Sequence, residues 1–158
     1  MRLDLPAVLA VVSLAASGCA LHKIPGTEID DNSETRAILD VVNKYRTAVE
    51  GRNAQALIDL ADESFHDNGG SATPDDDLDF KRLYTVLPGR FQKLDDVRLD
   101  LSVRKIELDE ESRTARVTYT YQMSFRLPTL TQKTQNETDI KQMTLKRNDG
   151  TWKITSGI

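Results

Sequence analysis

Three kinds of side chain along this 158-residue chain carry chemistry. The only cysteine, Cys19, stands in "LAASGCALHK" between an apolar run and a polar one. With no second cysteine it forms no internal disulfide, and the usual cysteine-based metal spacings are excluded with it. A second group is acidic: Asp75, Asp77 and Asp79 alternate in "DDDLD", the beginning of a calcium-loop spacing. That loop needs glycine where Phe80 stands and a closing glutamate where Val86 stands, so no calcium site is expected. The third group is phenolic. Tyr119 and Tyr121 sit two apart in a run that alternates apolar and polar residues, which directs both hydroxyls to the same face. Buried there, each hydroxyl either finds a protein partner or donates to a ligand carbonyl. Asn136-Glu137-Thr138 matches a glycosylation sequon. Only two histidines are present, His22 and His66, and His22 falls in the expected tether, so no two-histidine metal site is expected.

The segment before Cys19, "MRLDLPAVLAVVSLAASG", explains why a lone thiol stands where it does. Arg2 precedes an apolar and small-residue run from Ala7 to Ser17, roughly eleven residues against the ~20 needed to cross a bilayer core. It has the length of a secretory signal's apolar region, cut after small residues. Ala16, Ser17 and Gly18 followed by Cys19 resembles the lipobox of bacterial lipoproteins. That resemblance implies a signal peptide over 1–18, diacylglycerol on the Cys19 thiol, and cleavage that leaves the cysteine first. It departs from the family in having Ala16 where leucine is preferred, and Asp4 offsets the leading Arg2. The alternative is an ordinary signal peptide that contains a cysteine. Acyl chains at about 0.8 kcal/mol per buried methylene would make the anchor nearly permanent. Ala20 after the cysteine, in place of the aspartate that retains many lipoproteins at the inner membrane, points by the same analogy to the outer membrane of the cell envelope, facing the periplasm.

The net charge of −4 is unchanged by removal of 1–18, which carries one Arg and one Asp. A mild acidic excess gives no electrostatic basis for nucleic-acid binding. Residues 19–33 are polar, contain Pro25-Gly26 and lack periodicity, which predicts a lipidated cysteine with a flexible tether. Residues 34–158 are of one-domain size.

Within that domain, Asp31 with Glu34, or Ser33 alone, is placed to cap a helix. Ile38, Val41, Val42, Tyr45, Ala48 and Val49 recur at three and four residues, up to Gly51. Asn53 opens a second helix through Leu57, Leu60, Ala61 and Phe65. Thr73 before Pro74, with Asp75 to Asp77 in the first turn, predicts a third helix whose face is Phe80, Leu83, Tyr84 and Leu87. Pro88-Gly89 should end or bend it.

After Asp96 the period becomes two. Val97, Leu99, Leu101 and Val103 alternate with polar residues, and the phase slips by one at Arg104-Lys105 before Ile106 and Leu108, which predicts a bulge and a curved sheet. The turn "DEES" leads into a long strand with Ala115, Val117, Tyr119, Tyr121, Met123, Phe125 and Leu127 inward. "PTLTQKTQNETD" reads as a polar connection. "IKQMTLKR", "NDG" and "TWKITSG" form a closing hairpin.

Three helices followed by a strongly bent antiparallel sheet, closed by "LKRNDGTWKI", resembles the nuclear transport factor two-like superfamily, which includes ketosteroid isomerase, scytalone dehydratase and polyketide-cyclase-like (SnoaL-like) proteins. The resemblance implies an α+β, cone-shaped fold over 34–158, its helices packed on the sheet around a pocket. Such a cone serves enzymes, binding modules and dimerisation domains alike. In the superfamily's enzymes an Asp or His often lies in the apolar pocket, and the residues so placed here are His66 and Asp67; the competing reading is a solvated helix terminus. Tyr45, Tyr84, Tyr119, Tyr121 and Trp152 are the residues expected to line a ligand pocket, or else to pack as core. The expected function is a lipid-anchored protein whose cone binds a small apolar ligand or a protein partner without catalysis or cofactor. The alternative is an acid-base enzyme of the isomerase, dehydratase or cyclase kind, with His66 or Asp67 as base and Tyr119 or Tyr121 as oxyanion donor. Relatives also pair through the outer face of the sheet, here Thr118, Thr120, Gln122 and Ser124.

Overall fold

A computed structural model describes residues 22–69 and 77–158. Cys19 and the segment before it lie outside the described residues, as do Thr73, Pro74 and Asp75.

The first helix, α1 (Ser33–Glu50), is capped by Asn32. Its side chain accepts the Thr35 N–H at 2.9 Å while Thr35 Oγ1 accepts the Asn32 N–H at 3.2 Å, a reciprocal capping box. The expected cap on Asp31 or Ser33 is therefore displaced to the residue between them. Asp31 instead pairs with Arg36 at 2.5 Å, and Glu34 reaches out to the sheet. The buried face is the predicted one, Ile38 through Val49, with Thr35 added. At the C-terminus Gly51 stays right-handed, and Arg52 takes the left-handed turn at φ 50°.

α2 (Ala54–Leu60) is shorter than expected. Asn53 caps it, but Ala61 leaves the helix to bridge Ile154, and the Asp62 N–H donates to the Ile154 carbonyl at 2.8 Å. Ala61 and Phe65 are buried, although by this non-helical route.

β1 (His66–Asp67) pairs antiparallel with β2 (Leu78–Asp79), and α3 (Phe80–Gln92) follows directly. The third helix thus begins after the Thr73-Pro74 start expected for it, capped by Asp79, which accepts the Arg82 N–H at 2.8 Å. Leu78 is buried, and the strand pairing that buries it occupies residues expected in the helix's first turns. Pro88 lies inside α3, and the helix continues through it to bury Phe91 in its last turn.

The sheet runs β3 (Asp95–Asp109), β4 (Thr114–Leu127), β5 (Thr131–Asn148) and β6 (Thr151–Ser156), antiparallel throughout in the order β3-β4-β5-β6. The register shift between Val103 and Lys105 falls at the predicted bulge. In β4, residues 115 to 125 alternate as predicted, every second side chain buried. Most of the stretch expected as a polar connection, 128–139, is instead the first half of β5: strand begins at Thr131, and Thr134 to Asp139 pairs residue for residue with β4. A strand as deeply buried as β4 needs backbone partners on both edges. β5 supplies them with side chains that stay exposed from Asn136 to Gln142, so no apolar period betrays it.

The segment expected to be a loose tether is ordered from His22. The Asp31 N–H donates to the His22 carbonyl at 2.6 Å, the Ile24 N–H to the Ile29 carbonyl at 2.9 Å, and Ile29 is buried. Among the described residues no helix is long and apolar enough to cross a membrane.

Candidate functional site

Strand alternation and one helix face bring three phenols together inside the domain. Tyr45 comes from the buried face of α1; Tyr119 and Tyr121 come from the inward face of β4, and all three are buried. Their surroundings differ. The Tyr121 hydroxyl donates to Met123 Sδ at 2.5 Å, and the Lys141 Nζ stands 4.0 Å from its ring centroid. Tyr119 has no solvent exposure, and its hydroxyl meets no hydrogen-bond partner. Burial pushes the Tyr119 phenol up to about 12, with the charges of Tyr121 and Asp67 adding to the shift. Burial likewise pushes Tyr121 up to about 12, and it raises Tyr45 further still. All three are neutral donors at physiological pH.

The two residues singled out as acid or base separate at β1, because neighbours on a strand face opposite ways. His66 faces solvent, its side chain 61 % exposed and Nε2 3.7 Å from an Asp77 oxygen. Asp67 is half-buried and close enough for its charge to act on Tyr45 and Tyr119. Its two oxygens are engaged, Oδ1 by the Gly69 N–H at 2.9 Å and Oδ2 by the Gly157 N–H at 2.6 Å.

Tyr84 and Trp152 lie elsewhere. Tyr84 is half exposed, edge-on to Phe80 with centroids 5.7 Å apart, and lines an open cavity of about 790 Å³ with Asp62 and Asp149. Trp152 is buried; its Nε1 donates to Glu34 Oε2 at 3.0 Å, and Arg147, paired to the same carboxylate, stands 5.7 Å from its ring centroid. Five of the cavities lined by described residues can be compared with the cluster, and none of those five includes Tyr45, Tyr119 or Tyr121. Of the five expected pocket residues the structure groups three.

Among the described residues no group of three or more His, Cys, Asp or Glu side chains is arranged to hold a metal. Asp79 is spent on the α3 cap and Asp77 stands beside His66. The sequence reading missed Met123 and Lys141 as partners of Tyr121 and Gly157 as the partner of Asp67. Met123 was legible as an inward residue. The other two depend on strand register and on the chain's return to β1, which no local pattern encodes.

Chemically, the cluster offers the uncommitted, fully buried hydroxyl donor of Tyr119 beside a carboxylate already held by two amides.

No family model and no curated protein matches the chain. Solved structures do. A conserved protein from Planctomyces limnophilus superposes with a TM-score of 0.66 at 12% identity, covering 78% of this chain and 92% of that one. A candidate scytalone dehydratase from Novosphingobium aromaticivorans gives 0.62 at 20% identity, over 78% and 80% of the two chains. A nuclear transport factor two-like protein of unknown function from Shewanella oneidensis gives 0.58 at 13%, over 78% and 96%. The α+β cone fold expected from the sequence is the fold of this chain.

Proposed function

We propose that this nuclear transport factor two-like domain belongs to a lipid-anchored envelope protein and binds a small, largely apolar ligand through the tyrosine cluster rather than transforming it. Acylation at Cys19 holds it at the membrane, on the periplasmic side of the outer membrane. The observation that carries the binding reading is the Tyr119 hydroxyl, fully buried and without a partner. A buried hydroxyl left unpaired costs about 1–3 kcal/mol, and an acceptor atom on a bound molecule removes that cost. Tyr45 beside it supplies the aromatic wall. His66 facing water and Asp67 tied to two backbone amides disfavour an acid-base pair.

The test is an organic extract of the purified Cys19→Ala protein, examined by mass spectrometry. A small molecule at a near one-to-one ratio is expected from that protein, and its loss from the same protein carrying Tyr119→Phe. Identical, empty extracts from both would overturn the reading.

A second reading has one observation in its favour: Asp67 faces inward beside Tyr119, as a base beside an oxyanion donor would. It requires the Gly157 amide to release Asp67 when substrate enters, so Asp67→Asn would abolish turnover while leaving ligand in the extract.

A further inference from the structure

The chain outside the described residues ends at one particular place, the start of a strap folded onto one end of the domain. From His22 to Asp31 the backbone turns back on itself: Lys23 bridges Asp30, Lys23 Nζ contacts Asp30 Oδ1 at 2.6 Å and the Glu28 carbonyl at 2.9 Å, and Thr35 Oγ1 donates to the Asp30 carbonyl at 2.5 Å. Ile29 is only 6 % exposed. The strap lies beside the last residues of β3, lining a shared cavity with Ile106 and Leu108. Next to it, Glu34 of α1 and Arg113 of the β3–β4 turn line another with Trp152. The α1 N-terminus, the β3–β4 turn and the β5–β6 turn therefore share one end of the molecule. The β4–β5 turn at 128–130 is at the other end, a strand of 14 residues away, or about 40 Å.

Cys19 is three residues from His22, a reach of at most about 11 Å. The headgroup layer on one side of a bilayer accounts for about 5–7 Å of that. We infer that the strap seats the domain end-on at the bilayer, with the β3–β4 turn and Leu108 against the lipid headgroups and the β4–β5 turn pointing into the aqueous space. This rests on the Cys19 anchor proposed above. The surface's occupant is the lipid headgroup layer that carries the anchor. That end includes Asp109, Glu110, Glu111 and Arg113, so the seating comes from the length of chain and not from charge attraction.

The test uses the full acylated chain on phosphatidylcholine vesicles containing a nickel-chelating headgroup lipid. Acylated Cys19 carries no free thiol, so Leu108→Cys and Leu130→Cys each provide one site for a nitroxide; both residues are exposed, at 38 % and 79 %. A severalfold nickel-induced relaxation enhancement is expected at 108 and none at 130. A ten-residue Gly/Ser insertion between Ala20 and Leu21 should lower the 108 signal to that of 130 while the protein still sediments with vesicles. Equal enhancement at both positions, or no effect of the insertion, would overturn the end-on seating and leave that surface facing water or a second copy, with the anchor intact. A wild-type chain that fails to sediment, or a Cys19→Ala chain that still does, would instead remove the anchor and this inference with it.

Discussion

Asp67 Oδ2 accepts the Gly157 N–H at 2.6 Å, joining the short β1 strand to the end of the chain 90 residues later. Gly157 adopts φ +91°, and a Cβ there would press into the Gln142 carbonyl and the Met143 Cα, both backbone. The end of the chain thus lies against β5 where only glycine fits, with Asp67 holding it in place. Gly157→Ala should cost about 2 kcal/mol or more, from positive-φ strain and the clash together. Asp67→Ala should cost about 1–3 kcal/mol, chiefly by leaving the half-buried Gly157 amide unpaired, and Asp67→Asn less, because the amide oxygen still accepts. Urea midpoints measure all three. Equal stability of Gly157→Ala and wild type would mean the clasp is not formed in solution.

The tyrosine cluster should make the domain sensitive to alkali. Tyr119 and Tyr121 are each pushed up to about 12, chiefly by burial, and Tyr45 is raised further. An unfolded phenol loses its proton near 10. The folded state therefore binds more protons above that pH, and stability falls as pH rises from about 10 through the folded values. Tyr119→Phe should reduce the slope, and near pH 7, with both proteins first stripped of ligand by the organic extraction and refolded, it should match or exceed wild-type stability by about 1 kcal/mol, since it then removes an unpaired hydroxyl. Denaturant melts between pH 8 and 11 check both statements; a marked loss of stability in Tyr119→Phe at pH 7 would show that the hydroxyl has a partner.

The elements most legible from the sequence were those whose burial is periodic. Ile38 to Val49 along α1, Tyr119 and Tyr121 among the alternating residues of β4, and the slip at Arg104 each follow from one repeating pattern. The first half of β5 was illegible because its side chains stay exposed and carry no apolar period. The start of α3 was misplaced because Thr73-Pro74 with three acids imitates a helix N-terminus, while the burial of Leu78 against the core is a tertiary fact. The strap at His22 to Asp31 was hidden for a similar reason: its one buried side chain, Ile29, forms no pattern. At the site, strand parity could place Tyr119 and Tyr121 together. It could not tell which of His66 and Asp67 would face inward, because that depends on the pairing of β1 with β2.

Asp62 provides the acid-side counterpart to the tyrosines. It is one of two buried polar or charged residues identified among the described residues, at the point where α2 gives way to the Ile154 bridge. Burial by itself would raise its carboxyl. The Ser64 hydroxyl and N–H, the Asn148 amide and the charge of Lys146 outweigh that and hold it below the ordinary value of 3.8. A depressed folded value means the unfolded state binds the proton more readily, so the stabilisation is complete above about 3.8 and is lost as pH falls through the lower folded value. Asp62→Asn removes that titration, and it also leaves Asn148 facing an amide in place of a carboxylate. The variant should be less stable at pH 7, and the gap should narrow as pH drops below 3.8, an outcome that paired urea titrations at pH 7, 5, 3.5 and 2.5 would reveal. A gap constant across that range would place the stabilising charge on another carboxylate.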